Sequence, residues 1–197
     1  MGARVNWVTQ PESLDAWAKA IAPKTRFLYV GPSLSPFNAW LFLPGLEHLP
    51  LRMERHCANA LPLAAWLEQH PLVELVNYPG LPSNPYHPLV AKQMKGCSSL
   101  LSFVPRGTYD DAVKVIDALE LWTHATHLGT CKTIVTHPAS TTHSAMGQAE
   151  MRKAGIPPTL IRVSVGIEDE ADIIADIEQA LAKRALKRGS ELAGARN

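Results

Sequence analysis

Short apolar runs alternate with helical stretches along the second half of the chain, and this alternation restricts the possible folds more than any other feature. A short apolar run between turn residues is typical of a buried strand, whereas apolar residues repeated every three or four positions are typical of a helix. The alternation predicts an α/β domain. Its strands are predicted at residues 73–78, 98–104, 120–125, 133–135 and 160–164.

Two clear helical patterns lie among these strands. Residues 110–119 carry Val113, Ile116 and Leu119 on one face. Residues 170–187 repeat apolar side chains at four-residue steps, and their acidic start and basic end match the helix dipole. We expect the remaining tail, residues 189–197, to be frayed.

A long apolar stripe precedes the α/β region. Its members follow each other at three- and four-residue steps, as they would on one face of a helix. Pro50 and Pro62 lie within the stripe, and an interior proline costs a helix about 3 kcal/mol. We therefore expect a kink or a restart near each. The stripe consists of Leu46, Leu49, Met53, Cys57, Ala60, Ala64 and Leu67.

The N-terminal residues predict a separate β-α-β fragment. Residues 5–8 and 26–30 are suited to strands, and Ser13 stands where the N-cap of an intervening helix is expected. Strands that lack sheet neighbours expose edges that pair with other chains. Self-association or poor ordering is therefore expected for this fragment. The patterns together divide the chain into segments 1–30, 31–70, 71–188 and 189–197.

Charge and cysteine content exclude several classes of partner. The 19 basic and 18 acidic residues give a net charge of +1, without the basic excess of a protein that binds nucleic acid or a membrane surface. Cys57, Cys97 and Cys131 form no CxxC pair and suggest a reducing compartment. No signal-peptide pattern and no stretch long enough to span a bilayer are present in the sequence. We expect a cytoplasmic protein with neither a nucleic-acid nor a membrane partner.

Four histidines fall within twenty positions, at His124, His127, His137 and His143. A zinc site would need three or four of them to converge, and their spacing matches no zinc signature such as HExxH. We therefore predict histidines of loops and strand ends, and no metal site. The sequence also contains no GxSxG elbow, no P-loop and no GxGxxG fingerprint, which disfavours serine hydrolase chemistry and nucleotide binding.

Two other places carry candidate ligand contacts. Thr136, Ser140 and Thr141 belong to a polar loop that directly follows a predicted strand, where hydroxyls either contact a ligand or cap neighbouring backbone groups. Arg162 lies between apolar neighbours in another predicted strand, so it either faces solvent or pairs with an anion. A guanidinium fork matches a small-molecule carboxylate. Both alternatives remain open for the loop and for the arginine.

Four stretches of the chain are distinctive when taken together: GPSLSPFNAWLFLPGLEHLPLRMERHCANAL (31–61), NYPGLPSNPYHPLV (77–90), HLGTCKTIVTHPASTTH (127–143) and LIRVSVGIEDEADIIADIEQAL (160–181). They resemble the pyridoxal-phosphate (PLP) enzymes of Cys/Met metabolism, the family of cystathionine γ-synthase, the O-acyl-homoserine sulfhydrylases and methionine γ-lyase. The resemblance implies the small C-terminal domain of the fold-type I (aspartate-aminotransferase-like) fold, with a mixed or antiparallel sheet and helices packed on it. Residues 1–30 resemble a truncated β-α-β piece of the large PLP-binding domain.

The same resemblance implies roles for individual residues. Arg162 matches the arginine that binds the substrate α-carboxylate, and Thr136, Ser140 and Thr141 match the loop that lines the substrate side of the pocket. His127 matches a position before Leu-Gly where relatives commonly have serine, and we count it among the substrate-binding candidates.

The resemblance also implies what is missing. PLP is the cofactor of the family, but the sequence contains no Thr-Lys dipeptide like the one that carries the Schiff-base lysine. We therefore predict no catalytic residue and no PLP binding by this chain alone. The expected protein is a truncated enzyme of sulfur amino-acid metabolism that is inactive unless another chain completes the site. The alternative is a non-catalytic binding or oligomerisation module derived from the same domain.

Overall fold

A computed structural model describes residues 35–194. The predicted N-terminal fragment, together with its expected self-association or poor order, lies outside these residues. The chain divides into two units, one ending at Glu47 and one beginning at His48. This division falls inside the predicted segment 31–70. No helix within residues 35–194 has both the length and the apolar character needed to cross a membrane.

The described part of the first unit is helix α1, Pro36–Glu47. Ser35 caps it, because its hydroxyl accepts a hydrogen bond from the Asn38 amide at 3.3 Å. The helix contains Pro44 and carries no buried residue. Its large apolar side chains are all exposed: Phe37, Trp40, Leu41, Phe42, Leu43 and Leu46.

Helix α2, Leu49–Gln69, opens the second unit. The restart predicted near Pro50 is confirmed, because Pro50 lies in the first turn of α2. Amides of the first turn have no acceptor within the helix, so a proline there costs no helical hydrogen bond. Pro62 lies inside α2 and does not end it. Only the second half of the predicted apolar stripe lies on the buried face of this helix, where Ala60, Ala64 and Leu67 are fully inaccessible to solvent. Leu49 and Met53, in the first half, are exposed.

A five-stranded mixed sheet forms the centre of the second unit, with the strand order β1-β2-β5-β4-β3. Adjacent strands run antiparallel except for β3 and β4, which are parallel. The predicted α/β class and mixed sheet are therefore confirmed. The strands are β1 Val73–Asn77, β2 Leu100–Pro105, β3 Thr123–His124, β4 Ile134–Thr136 and β5 Ile161–Ser164.

Helices connect the strands and cover one face of the sheet. Phe103, Ile161 and Val163 point into a core shared with α2 and with the two longest helices that follow. Side chains alternate between the faces of a strand, so Arg162 belongs to the opposite face, beside its register partners Ser102 and Thr136. The remaining helices are α3 His87–Gln93, α4 Tyr109–Asp117, α5 Gln148–Lys153 and α6 Glu170–Gly194.

Three sequence-based boundaries are wrong. The strand predicted at 120–125 is reduced to β3, because the amides of residues 120–122 bond to the carboxylate of Asp176 rather than to a strand. The strand predicted from residue 98 begins at Leu100, since Ser98 has a left-handed φ of 74°. The tail expected to fray from residue 189 continues α6 as far as Gly194; its alanine, leucine and glutamate residues favour helix.

Candidate functional site

The face of the sheet opposite the core carries Arg162, whose guanidinium is held by backbone carbonyls. Its Nη2 donates to the carbonyl oxygen of Thr126 at 3.0 Å and to that of His127 at 3.3 Å. Both carbonyls belong to residues 125–129, which we call the strap and which follow the edge strand β3. Arg162 is half-buried in β5.

Two nitrogens of the Arg162 guanidinium make no hydrogen bond among the described residues. Within residues 35–194 its side-chain hydrogen bonds are the two from Nη2, so Nε and Nη1 make none there. A guanidinium presents its donors in a planar fork that matches the two oxygens of a carboxylate. One edge of the cation is therefore fixed by the backbone, and its other nitrogens can bind a carboxylate.

The hydroxyl of Thr136 points to the same strap. Thr136 is buried in β4 and donates its hydroxyl hydrogen to the carbonyl oxygen of Ala125. His127, by contrast, has an exposed side chain and reaches Arg162 only through its backbone carbonyl. The structure thus brings Thr136, His127 and Arg162 together, and the first two contact the strap or belong to it.

The hydroxyls of Ser140 and Thr141 bond within their own loop. Thr141 donates to the carbonyl oxygen of His137 at 2.8 Å, and the Ser140 hydroxyl lies 2.9 Å from Nδ1 of the same histidine. These bonds are the backbone and side-chain caps that such loops commonly form. The substrate contacts of these two residues remain predictions.

His137 anchors that loop from inside. Its ring is buried, its Nε2 donates to the carbonyl oxygen of Pro158 at 2.7 Å, and its centroid lies 4.9 Å from that of the Tyr109 ring. Burial lowers the pKa of His137, the bond to Pro158 opposes that shift, and nearby His124 adds to it. Both ring nitrogens of His137 have partners, since Nδ1 contacts the Ser140 hydroxyl and Nε2 contacts the Pro158 carbonyl. Within the described residues no group of histidine, cysteine, aspartate and glutamate side chains is arranged to hold a metal ion.

Ser164 also contacts the strap, although the sequence patterns do not single it out. Its hydroxyl accepts a hydrogen bond from the Gly129 amide at 3.1 Å, at the far end of the strap. A usable signal was present, because Ser164 stands two positions after Arg162 in a predicted strand and therefore on the same face.

A PLP cofactor would need an amine for its Schiff base, and the described residues do not fit that need. Every lysine whose side chain is described lies at the surface or is only half-buried, and Lys183 already pairs with Glu120 at 2.7 Å. A groove of about 410 Å³ beside β1 is lined by Glu68, Asn77 and Asn84 among others, but by no lysine. The described part of the chain thus contains an arginine with unbonded guanidinium nitrogens and no buried lysine amine.

Comparisons with known proteins agree on one family. The family described as Cys/Met metabolism PLP-dependent enzyme matches residues 12–182. The chain is 49% identical over 152 residues to an O-succinylhomoserine sulfhydrylase of Pseudomonas aeruginosa. The aligned region covers 77% of this chain and 38% of that relative. It is 46% identical over 172 residues to a homocysteine synthase of Schizosaccharomyces pombe, covering 86% of this chain and 40% of the relative.

A solved structure supports the same assignment. The O-acetylhomoserine (thiol)-lyase of Campylobacter jejuni, which carries N′-pyridoxyl-lysine-5′-monophosphate, superposes with a TM-score of 0.71 at 45% identity. The match covers 76% of this chain and 36% of that protein. The chain thus spans less than half the length of the relatives it matches. It belongs to the PLP-dependent enzymes of Cys/Met metabolism.

Proposed function

We propose that this chain is the substrate-binding part of a transsulfuration-type PLP enzyme of sulfur amino-acid metabolism, in which Arg162 binds the α-carboxylate of the amino-acid substrate. The observation that carries the proposal is the guanidinium of Arg162, fixed through Nη2 by two carbonyls with Nε and Nη1 unbonded among the described residues. A cation held in this way needs little further ordering to bind a carboxylate.

The names of the relatives support the class of substrate. They include an O-succinylhomoserine sulfhydrylase, a homocysteine synthase and an O-acetylhomoserine (thiol)-lyase. We infer that the substrate is an O-acylated homoserine or a related sulfur amino acid. All of these carry the α-carboxylate that Arg162 would bind.

Catalysis requires a second polypeptide in this proposal. PLP acts as an electron sink when a lysine Schiff base and an acidic partner of the ring nitrogen hold it in place. The sequence contains no Thr-Lys dipeptide, and the described lysines do not meet the need for a buried amine. We infer that the chain is inactive alone and that a complementing chain supplies the coenzyme site.

A second candidate function is a non-catalytic binding or oligomerisation module. Helix α1 favours it, because the helix has no charged side chain before Glu47 and exposes large apolar residues such as Trp40 and Leu43. A helix that is apolar on all sides is normally buried against a partner. This candidate needs neither PLP nor a lysine.

Two measurements separate the candidates. In the first, the chain is mixed with PLP and with a large domain prepared from the Pseudomonas aeruginosa relative. A visible aldimine band that changes on adding O-succinyl-L-homoserine only when both chains are present supports the enzyme. If no band responds to the amino acid although the large domain alone binds PLP, the module remains.

The second measurement tests the arginine directly, by titrating the chain with L-methionine and following the binding by calorimetry. Loss of a charge-assisted hydrogen-bond pair is worth about 1.5 to 3 kcal/mol, so Arg162→Ala should weaken binding by about tenfold or more. Arg106→Ala, which removes an exposed arginine next to β2, is the control and should bind normally. Equal binding by wild type and Arg162→Ala would reject the carboxylate role of Arg162.

A further inference from the structure

The strap runs from one strand of the sheet to another by crossing a third. At its start the Ala125 amide donates to the carbonyl oxygen of Val135 in β4 at 3.0 Å. At its end the Gly129 amide reaches Ser164 in β5 at 3.1 Å. Since β4 lies between β3 and β5, the strap passes over β4 on the face that carries Arg162.

Two hydroxyls fasten the strap on either side of the carbonyls that hold Arg162. Thr136 bonds the carbonyl oxygen of Ala125, and Ser164 bonds the amide of Gly129. Thr136 and Ser164 are both buried. Their positions are fixed by the sheet, because Thr136 is the register partner of Arg162 and Ser164 lies two residues beyond Arg162 in the same strand.

The turn at the end of the strap depends on glycine. Gly129 has a φ of +77°, in the left-handed region that glycine adopts without penalty. A Cβ at this position would meet no atom within 4 Å, so a substitution would act through backbone strain and not through a clash. The Gly129 amide therefore reaches Ser164 through a conformation that few other residues share.

We propose that Thr136 and Ser164 are positioning residues for Arg162: their hydroxyls fix the strap, and the strap carbonyls hold Nη2 so that Nε and Nη1 are presented to a ligand. An arginine side chain loses up to about 2 kcal/mol of rotamer freedom when it is ordered. Because hydrogen bonds hold the strap on both sides, the Arg162 side chain is ordered before the ligand binds. Thr136, expected from the sequence to touch substrate, acts through Arg162 instead. The ligand-binding consequence rests on the proposed function, whereas the geometry of the strap does not.

The test compares hydroxyl deletions with a matched control in the full chain. Ser164→Ala and Thr136→Val remove the two hydroxyls, and Thr136→Ser retains one of them. The control is Ser102→Ala, since Ser102 is the other register partner of Arg162. The Ser102 hydroxyl makes no hydrogen bond among the described residues. The readout is the exchange of the Arg162 guanidinium protons by nitrogen-15 NMR, with the signal assigned from its loss in Arg162→Lys.

A net hydrogen-bond contribution of about 1 to 1.5 kcal/mol corresponds to roughly a tenfold change in an equilibrium. We therefore expect the exchange of the Nη protons to accelerate about tenfold in Ser164→Ala and in Thr136→Val. It should stay at the wild-type rate in Thr136→Ser and in Ser102→Ala. Unchanged exchange in either hydroxyl deletion, with a native amide spectrum, overturns the proposal. If Ser164→Ala does not fold, the Thr136→Val and Thr136→Ser pair decides by the same criterion.

A titration with L-methionine separates this proposal from the proposed function. Weaker binding by both hydroxyl deletions, alongside faster guanidinium exchange, supports the two together. If the wild type binds no amino acid, the carboxylate site fails, and the exchange rates still decide whether the strap positions Arg162.

Discussion

The guanidinium of Arg184 on α6 lies 3.3 Å from the carboxylate of Asp111 on α4, and both side chains are almost completely buried. The same carboxylate oxygen accepts the Thr108 amide at 2.8 Å and the Thr108 hydroxyl at 3.1 Å. Asp111 therefore completes the capping box of α4 and also joins that helix to α6. One carboxylate connects the start of a short helix to the longest one.

Neutralising Asp111 should destabilise the domain strongly. Removing one partner of a buried ion pair leaves the other charge without compensation and costs about 3 to 5 kcal/mol. We expect Asp111→Asn to lower the free energy of unfolding by about 3 kcal/mol in urea. Asp110→Asn, at the exposed neighbouring position, is the control and should lose less than about 1 kcal/mol. Equal losses in the two variants would contradict a structural role for the pair.

Lowering the pH should remove the contribution of the Asp111 carboxylate to the free energy of unfolding of the wild type. Burial acts to raise the pKa of Asp111, but the hydrogen bonds from Thr108 and the contact with Arg184 outweigh it and lower that pKa from 3.8 to about 2. A lowered folded-state pKa stabilises the fold above the unfolded value, and the effect is lost as the pH falls toward 2. The shift corresponds to about 2 kcal/mol at neutral pH.

The gap in unfolding free energy between wild type and Asp111→Asn should therefore narrow below pH 4. Urea unfolding at pH 5, 4 and 3 measures this gap. A gap that stays constant over this range would show that the carboxylate does not titrate differently in the folded and unfolded states.

The lowered pKa of His137 predicts a second dependence of folding stability on pH. It lies at higher pH than that of Asp111, and stability again decreases as the pH falls. Its folded-state pKa is lowered mainly by burial, below the ordinary value of 6.5. The unfolded chain then takes up the proton first, so stability is complete above about pH 6.5 and decreases as the pH falls below that value. His137→Gln should flatten the stability profile between pH 7 and 5, since its amide can still donate to Pro158. His143→Gln is the control, and a slope that survives in His137→Gln would assign the effect to another group.

The sequence predicted the elements whose signals are local. The run around Arg162 is predicted as a strand because apolar residues flank it, and it forms β5. Helix α4 is predicted from the helical spacing of Val113, Ile116 and Leu119, but it ends at Asp117 and buries Ala112, Val115 and Ile116. Helix α1 was not predicted as a separate element. Its apolar residues mark no single face, and Pro44 and Gly45 within it are signals that normally end a helix.

The parts of the site that the sequence did not reveal depend on register and on distant partners. Ser164 could be placed on the face of Arg162, but its contact with Gly129 is set by a strap that begins two strands away. The same holds for Thr136, whose hydroxyl bonds to a residue eleven positions earlier. Local patterns can identify such polar residues, whereas their partners depend on how the strands are ordered in the sheet.

Another side chain with distant backbone partners gives the last prediction. The carboxylate of Asp176 on α6 accepts the amides of Glu120, Leu121 and Trp122 at 2.9, 2.8 and 3.0 Å. It is buried, and it also accepts the side-chain amide of Gln179 at 3.0 Å. These bonds hold the segment before β3 in a loop, and the strap begins directly after β3.

Asp176→Asn should release that loop. An asparagine replaces one accepting oxygen with a donor, so at least one buried backbone amide loses its partner at a cost of about 1 to 3 kcal/mol. We expect a loss of unfolding free energy in that range and faster hydrogen exchange at the amides of residues 120–122. Asp172→Asn, one turn earlier on α6 and exposed, is the matched control. It should leave those amides protected, because it changes only the helix-dipole interaction. Equal exchange in the two variants would mean that the loop is held by its apolar contacts, Trp122 above all, and not by the carboxylate.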